Sequence, residues 1–172
     1  MSYYLQRALI ALCLFSSILL MSSCSLNDSS RIWEYNEIQT KNPSFNGGRL
    51  ILCSDIFTSN LELEIFRSKS GIRMYLNILS MQAFPCSDDS QRTDVNIVFL
   101  DEENQETWVV RPIILQGGQR LLFSDSVSEC LIQALLDERP FDIKIGRICL
   151  RVITDNFSEV YSQLMNLTIE NN

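Results

Sequence analysis

Residues 61–79, "LELEIFRSKSGIRMYLNIL", decide the fold class. Leu61, Leu63 and Ile65 oppose Glu62 and Glu64, and Ile72, Met74, Leu76 and Ile78 oppose Arg73, Tyr75 and Asn77. Alternation at period two gives a strand one buried and one wet face, and "SKSG" between the runs supplies turn residues. The stretch predicts two strands of a sheet with one wet face.

The same texture extends in both directions. "RLILCS" (49–54), "DVNIVFL" (94–100), "ETWVVRPIIL" (106–115) and "RLLF" (120–123) are rich in β-branched, aromatic or aliphatic residues. Turn signals separate them: "TSN", "PCSDDS", "DEENQ" and "QGGQ". "FDIKIGRICLRVI" (141–153) changes phase at Gly146, which predicts one strand with a β-bulge there. In "SVSECLIQALLDERP", Val127, Cys130, Leu131, Ala134 and Leu135 draw a helical stripe, with Ser126 and Glu129 as a capping box and Pro140 as a stop. Phe157, Val160, Tyr161 and Leu164 predict a short C-terminal amphipathic helix. The fold class is mainly β (α+β): a β-sandwich or half-barrel of about seven strands with one or two C-terminal helices.

Composition narrows the function classes. The chain has 172 residues, enough for one domain plus a leader. Arg7 is the only charged side chain before Cys24, so 13 basic and 21 acidic side chains follow it, a net −8. No Lys/Arg cluster stands out, which argues against nucleic acid as a partner. Histidine is absent. That removes Ser-His-Asp and Cys-His catalysis and His-containing metal sites; no catalytic residue, metal site or cofactor is marked, and the chain reads as a non-enzyme.

The N-terminus gives an address. "MSYYLQR" ends in one positive charge, and residues 8–21, "ALIALCLFSSILLM", are uncharged and largely apolar. A basic n-region followed by an h-region too short to span a membrane reads as a signal peptide. Ser22 and Ser23 then precede Cys24. This arrangement resembles the lipobox of bacterial lipoproteins, with Met21 where leucine is commonest. The resemblance implies a diacylglycerol thioether and further acylation such as palmitate on Cys24, with cleavage just before it. Ser25, in place of aspartate, implies the outer membrane, with the domain in the periplasm or at the surface. A plain secreted domain, with Cys24 as a disulfide partner, is the alternative reading of the same residues.

The organisation expected is therefore a signal peptide (1–23), a lipid-anchored Ser/Asn-rich tether (24–47), one β-rich domain (48–166) and a tail (167–172). About 24 flexible residues reach roughly 25–30 Å, and "RIWEY" within them suits a first strand or an aromatic patch docked on the domain.

Four further cysteines, Cys53, Cys86, Cys130 and Cys149, suit two disulfides in an exported protein, or buried thiols. The acidic stretches holding Asp101, Glu102, Glu103 and Glu106, and Asp88, Asp89 and Asp94, read as solvated hairpin tips and not as calcium loops. "QGGQRLL" lacks the lysine and Ser/Thr of a phosphate loop and reads as a turn. Arginine outnumbers lysine 11 to 3; Arg73, Arg111, Arg120, Arg147 and Arg151 fall on or beside strands and suit surface ion pairs. Through "GGQRLL", "SVSECLIQALL" and "FDIKIGR" the mature domain resembles small lipoproteins of the chlamydial type, which implies an envelope location and no particular activity. The expected partners are the bilayer, through the acylated N-terminus, and an envelope protein. The function expected is an envelope binding or assembly module, with a small apolar-ligand carrier as the alternative.

Overall fold

The computed structural model describes residues 32–42, 46–53, 60–100 and 106–168, with Cys53 described in its backbone alone. The leader, Cys24 and the "DEENQ" turn lie outside these residues. Among the described residues, ten strands and two helices follow in the order β1 (Trp33–Ile38), β2 (Gly47–Cys53), β3 (Leu61–Ser68), β4 (Gly71–Ile78), β5 (Val95–Phe99), β6 (Thr107–Val110), β7 (Ile113–Ile114), β8 (Arg120–Leu122), α1 (Asp125–Leu136), β9 (Phe141–Ile145), β10 (Ile148–Val152) and α2 (Phe157–Asn166).

The strands form two open antiparallel sheets around one core. A six-stranded sheet runs β1-β2-β3-β4-β8-β7 and a four-stranded sheet runs β10-β9-β5-β6. The chain builds a four-strand meander, crosses to the second sheet for β5 and β6, returns for β7 and β8, and crosses again through α1 for β9 and β10. The predicted pair at 61–79 is the β3–β4 hairpin, with Leu63 opposite Leu76 and Ser68 opposite Gly71. Trp33, Phe99, Phe141 and Phe157 are the largest fully buried side chains, surrounded by Leu50, Leu52, Leu63, Ile65, Leu76 and Ile143. Aromatic edge-to-face contacts, Trp33 on Phe157 at 5.0 Å and Phe99 on Trp108 at 4.8 Å, fill the layer.

The seven expected strands become ten for three local reasons. "RIWEY" is a strand: β1 pairs with β2 from Trp33↔Leu52 to Ile38↔Gly47, so the sheet begins inside the stretch assigned to the tether. Residues 106–115 split at Arg111-Pro112. Proline lacks the N–H that a ladder needs, and the chain changes sheets there, with β6 pairing β5 and β7 pairing β8. The phase change at Gly146 is a hairpin turn and not a β-bulge: β9 and β10 pair from Ile145↔Ile148 outward. Gly146, at φ +57, takes the first central position of a two-residue turn, where a positive φ matches the twist of the flanking strands.

Helix α1 is rotated relative to its expected stripe. Its cap is Ser124, whose Oγ accepts from Val127 N, and not the Ser126–Glu129 box. Ser128, Leu131, Ile132, Ala134 and Leu135 are buried, while Cys130 is exposed. A serine can occupy the buried face because its hydroxyl donates to Ser124 O at 2.9 Å, four residues back. Helix α2 buries Phe157, Val160 and Leu164, as its spacing predicts, and packs on β1 and β2. Gly48 permits this approach: a Cβ there would lie 2.6 Å from Leu164 Cδ1.

The outer faces are less wet than the alternation suggests. Glu64 and Tyr75 are buried there, because Arg120 lies 3.9 Å over the Tyr75 ring while donating to Glu64 at 3.1 Å. Asn77 donates to both Glu62 and Glu64. On the second sheet, buried Asp142 accepts two hydrogen bonds from Arg151. Each buried carboxylate has its guanidinium, as desolvation requires.

Candidate functional site

Among the described residues, a groove of about 760 Å³ is walled by the tip of the β3–β4 hairpin on one side and by α1 on the other, with α2 contributing Tyr161 and Met165. That size lies within the range of ligand and peptide pockets. Its hairpin wall is basic. Residues 65–75 carry Arg67, Lys69 and Arg73 and no acidic side chain, in a chain whose balance is acidic. Its α1 wall carries Asp125 and Glu129, and Ile132, Leu136, Tyr161 and Met165 give it an apolar lining.

Arg67 also ties the groove together. Its Nη1 donates to Leu164 O at 2.8 Å, which also accepts from the Leu167 N–H, and to Leu167 O at 2.9 Å just past the end of α2, where a cation suits the helix dipole. Burial pushes the Tyr161 hydroxyl above the usual tyrosine range, with the Arg67 charge opposing in part. Tyr161 thus stays a neutral donor and acceptor at the groove wall. Lys69 and Arg73 are exposed and available to an incoming chain.

The sequence-expected site residues lie elsewhere. Cys24 and the side chain of Cys53 are outside the described residues. Cys86 sits in the β4–β5 connection, Cys130 on the exposed side of α1 and Cys149 on β10, and no disulfide joins any two of these three. Cys86 Sγ donates to Asp94 Oδ1 at 3.4 Å, and partial burial together with that carboxylate pushes its thiol up, away from the thiolate.

Arg111 bridges Asp88 at 2.8 Å and Asp94 at 2.9 Å, and Arg92 meets Asp89 at 3.3 Å. These carboxylates are engaged by arginine, which holds the Asp88 carboxyl below the usual range. Glu106 accepts from the Trp108 indole at 2.6 Å; Asp101, Glu102 and Glu103 lie outside the described residues. Gly117 and Gly118 have φ of +95 and +73 in the β7–β8 turn, as the reading of "QGGQ" predicts. Of the five arginines, Arg111, Arg120 and Arg151 make ion pairs, Arg73 lines the groove and Arg147 lies in the β9–β10 turn.

The groove itself has no signature in the sequence, because it forms where a hairpin tip meets two helices that follow it by more than fifty residues. Its one local signal is the run of bases without acids at 65–75. No family model, curated protein or solved structure matches the chain.

Proposed function

We propose that the chain is a non-enzymatic envelope lipoprotein, tethered to the outer membrane through an acylated Cys24, whose groove holds a segment of another envelope protein. The tether rests on Arg7, the uncharged run at 8–21 and Ser22-Ser23-Cys24. The observation that carries the binding role is the groove's distribution of charge: Lys69 and Arg73 face Asp125 and Glu129 across an apolar lining. Such a surface suits a peptide with an apolar anchor flanked by charges of both signs, which it orients by electrostatic complementarity.

Intact mass of membrane-extracted protein, beside Cys24→Ala, tests the tether: a chain beginning at Cys24 with acyl mass is expected, and an unmodified soluble chain refutes it. Crosslinking of the acylated protein in envelopes tests the groove. A stoichiometric adduct lost in the K69E/R73E double variant is expected, and an adduct that survives both charge reversals refutes the assignment. An apolar-ligand carrier is the second reading of the same groove, through its Ile132, Leu136 and Met165 lining. Co-purified lipid would then replace the protein adduct.

A further inference from the structure

The geometry points to a second surface: the end of the six-stranded sheet where the chain arrives from Cys24 lies down on the bilayer that anchors it. This deepens the lipoprotein reading and rests on it. The register places one row across that end. Trp33 pairs with Leu52, Leu52 with Leu63, Leu63 with Leu76 and Leu76 with Leu121. Beyond that row lie Ile32 and, past the end of β4, Leu79, whose N–H donates to Asn60 O. Ala83 N donates to Gly118 O at the tip of the β7–β8 turn, and Phe84 follows it.

Ile32, Leu79 and Phe84 are 56%, 55% and 77% exposed, three of the six large apolar side chains that the described residues leave in solvent. With strands about 4.8 Å apart, they line an end roughly 20 Å wide. Two described segments at this end, "LSMQAFP" (79–85) and "LQGGQ" (115–119), contain no charged residue, while Glu62 and Arg120 stand one row beyond Leu63 and Leu121. In a chain with one charged residue in five, uncharged segments bearing exposed Leu79 and Phe84 lose little on leaving water.

The occupant follows from chain length. Seven residues separate Cys24 from Ile32, and even fully extended these eight steps reach at most about 29 Å. A lipid on Cys24 therefore holds Ile32 within that reach of the bilayer, a tighter bound than any strand farther along the chain has. β3 then carries the chain about 23 Å along its eight residues to Ser68, so the groove opens away from the membrane.

The test uses acylated full-length protein in phosphatidylethanolamine/phosphatidylglycerol vesicles with brominated acyl chains. Phe84→Trp and Leu79→Trp are read against Met165→Trp at the groove end and against wild type, whose Trp33 is buried. Side chains seated about 5–10 Å into the interface should lose about half their added emission to bromine and shift to the blue; Met165→Trp should do neither. Acyl mass and vesicle flotation with Phe84→Trp and Leu79→Trp both unquenched overturn the docking alone. A chain without acyl mass that does not float overturns the tether, and the docking with it.

Discussion

Asn156 is the residue whose replacement most directly tests how the first strand is held. It precedes α2 as its N-cap but makes no side-chain cap bond. Its amide instead grips β1: Oδ1 accepts from Trp33 N at 3.0 Å, and Nδ2 donates to Trp33 O at 2.9 Å. Its backbone is left-handed, at φ +53. Asn156→Gly removes both hydrogen bonds while keeping the backbone unstrained. At about 0.5–1.5 kcal/mol for each partly buried bond, the loss should be about 1–3 kcal/mol. Asn156→Ala loses the same bonds and must also hold a Cβ in the left-handed region, at about 1–2 kcal/mol. Alanine recovers about 0.4–1 kcal/mol through a less free unfolded chain, so it should fall below glycine by about 0.5–1 kcal/mol. Urea unfolding followed by tryptophan fluorescence measures both, because Trp33 packs on Phe157 in the native state alone. Alanine equal to or more stable than glycine would refute the backbone argument. Glycine within about 0.5 kcal/mol of wild type would refute the clamp.

Three further outcomes follow from the same contacts. Arg120→Ala leaves buried Glu64 without its guanidinium and uncovers Tyr75; since Arg120 is itself well exposed, the expected cost is about 1–2 kcal/mol, well short of a fully buried pair, and chemical denaturation reads it. Asp88 titrates below the usual carboxylate range because Arg111 binds its ionised form. Its contribution to stability is therefore present above the unfolded carboxylate value and lost as pH falls below about 4 and through the folded value. Arg111→Met should move the Asp88 midpoint up in an NMR titration, and an unchanged midpoint would contradict the pair. Finally, iodoacetamide at pH 8 should modify exposed Cys130 before Cys86, whose thiol form is favoured by partial burial and Asp94; mass-mapped labelling in the reverse order would contradict that environment.

Period-two alternation made the sheets legible, because Leu61 to Ile65 and Met74 to Ile78 face a core on one side and polar groups on the other. What alternation does not encode is where a strand stops. Residues 106–115 read as one strand across Pro112 and Gly146 as a bulge within another, yet each marks a change of partner, since only the tertiary arrangement tells a bulge from a turn. The stripe on α1 was displaced for a related reason: Cys130 counts as apolar and Ser128 as polar, but a serine that bonds its own helix backbone can be buried and a cysteine can face water. The candidate groove was the least legible feature, being an encounter between Lys69, Glu129 and Tyr161 that no spacing along the chain records.

The two proposed surfaces acquire a mechanical relation from the register. The proposed tether would leave from the N-terminal end of β1, and the groove lies at the other end of the sheet, beside the β3–β4 turn. A load between an anchored lipid and a bound partner would therefore pull β1 along its own axis past β2, so that the ladder from Trp33↔Leu52 to Ile38↔Gly47 is strained together and not opened one bond at a time. The Asn156 clamp and the indole of Trp33, which donates to Ile153 O at 2.9 Å, sit where that load enters. An edge strand is ordinarily the easiest part of a sheet to remove. Loaded in shear and fixed at its first residue to the segment leading into α2, β1 would pass a load on the proposed anchor to the core, which a tether ending in a free loop could not do.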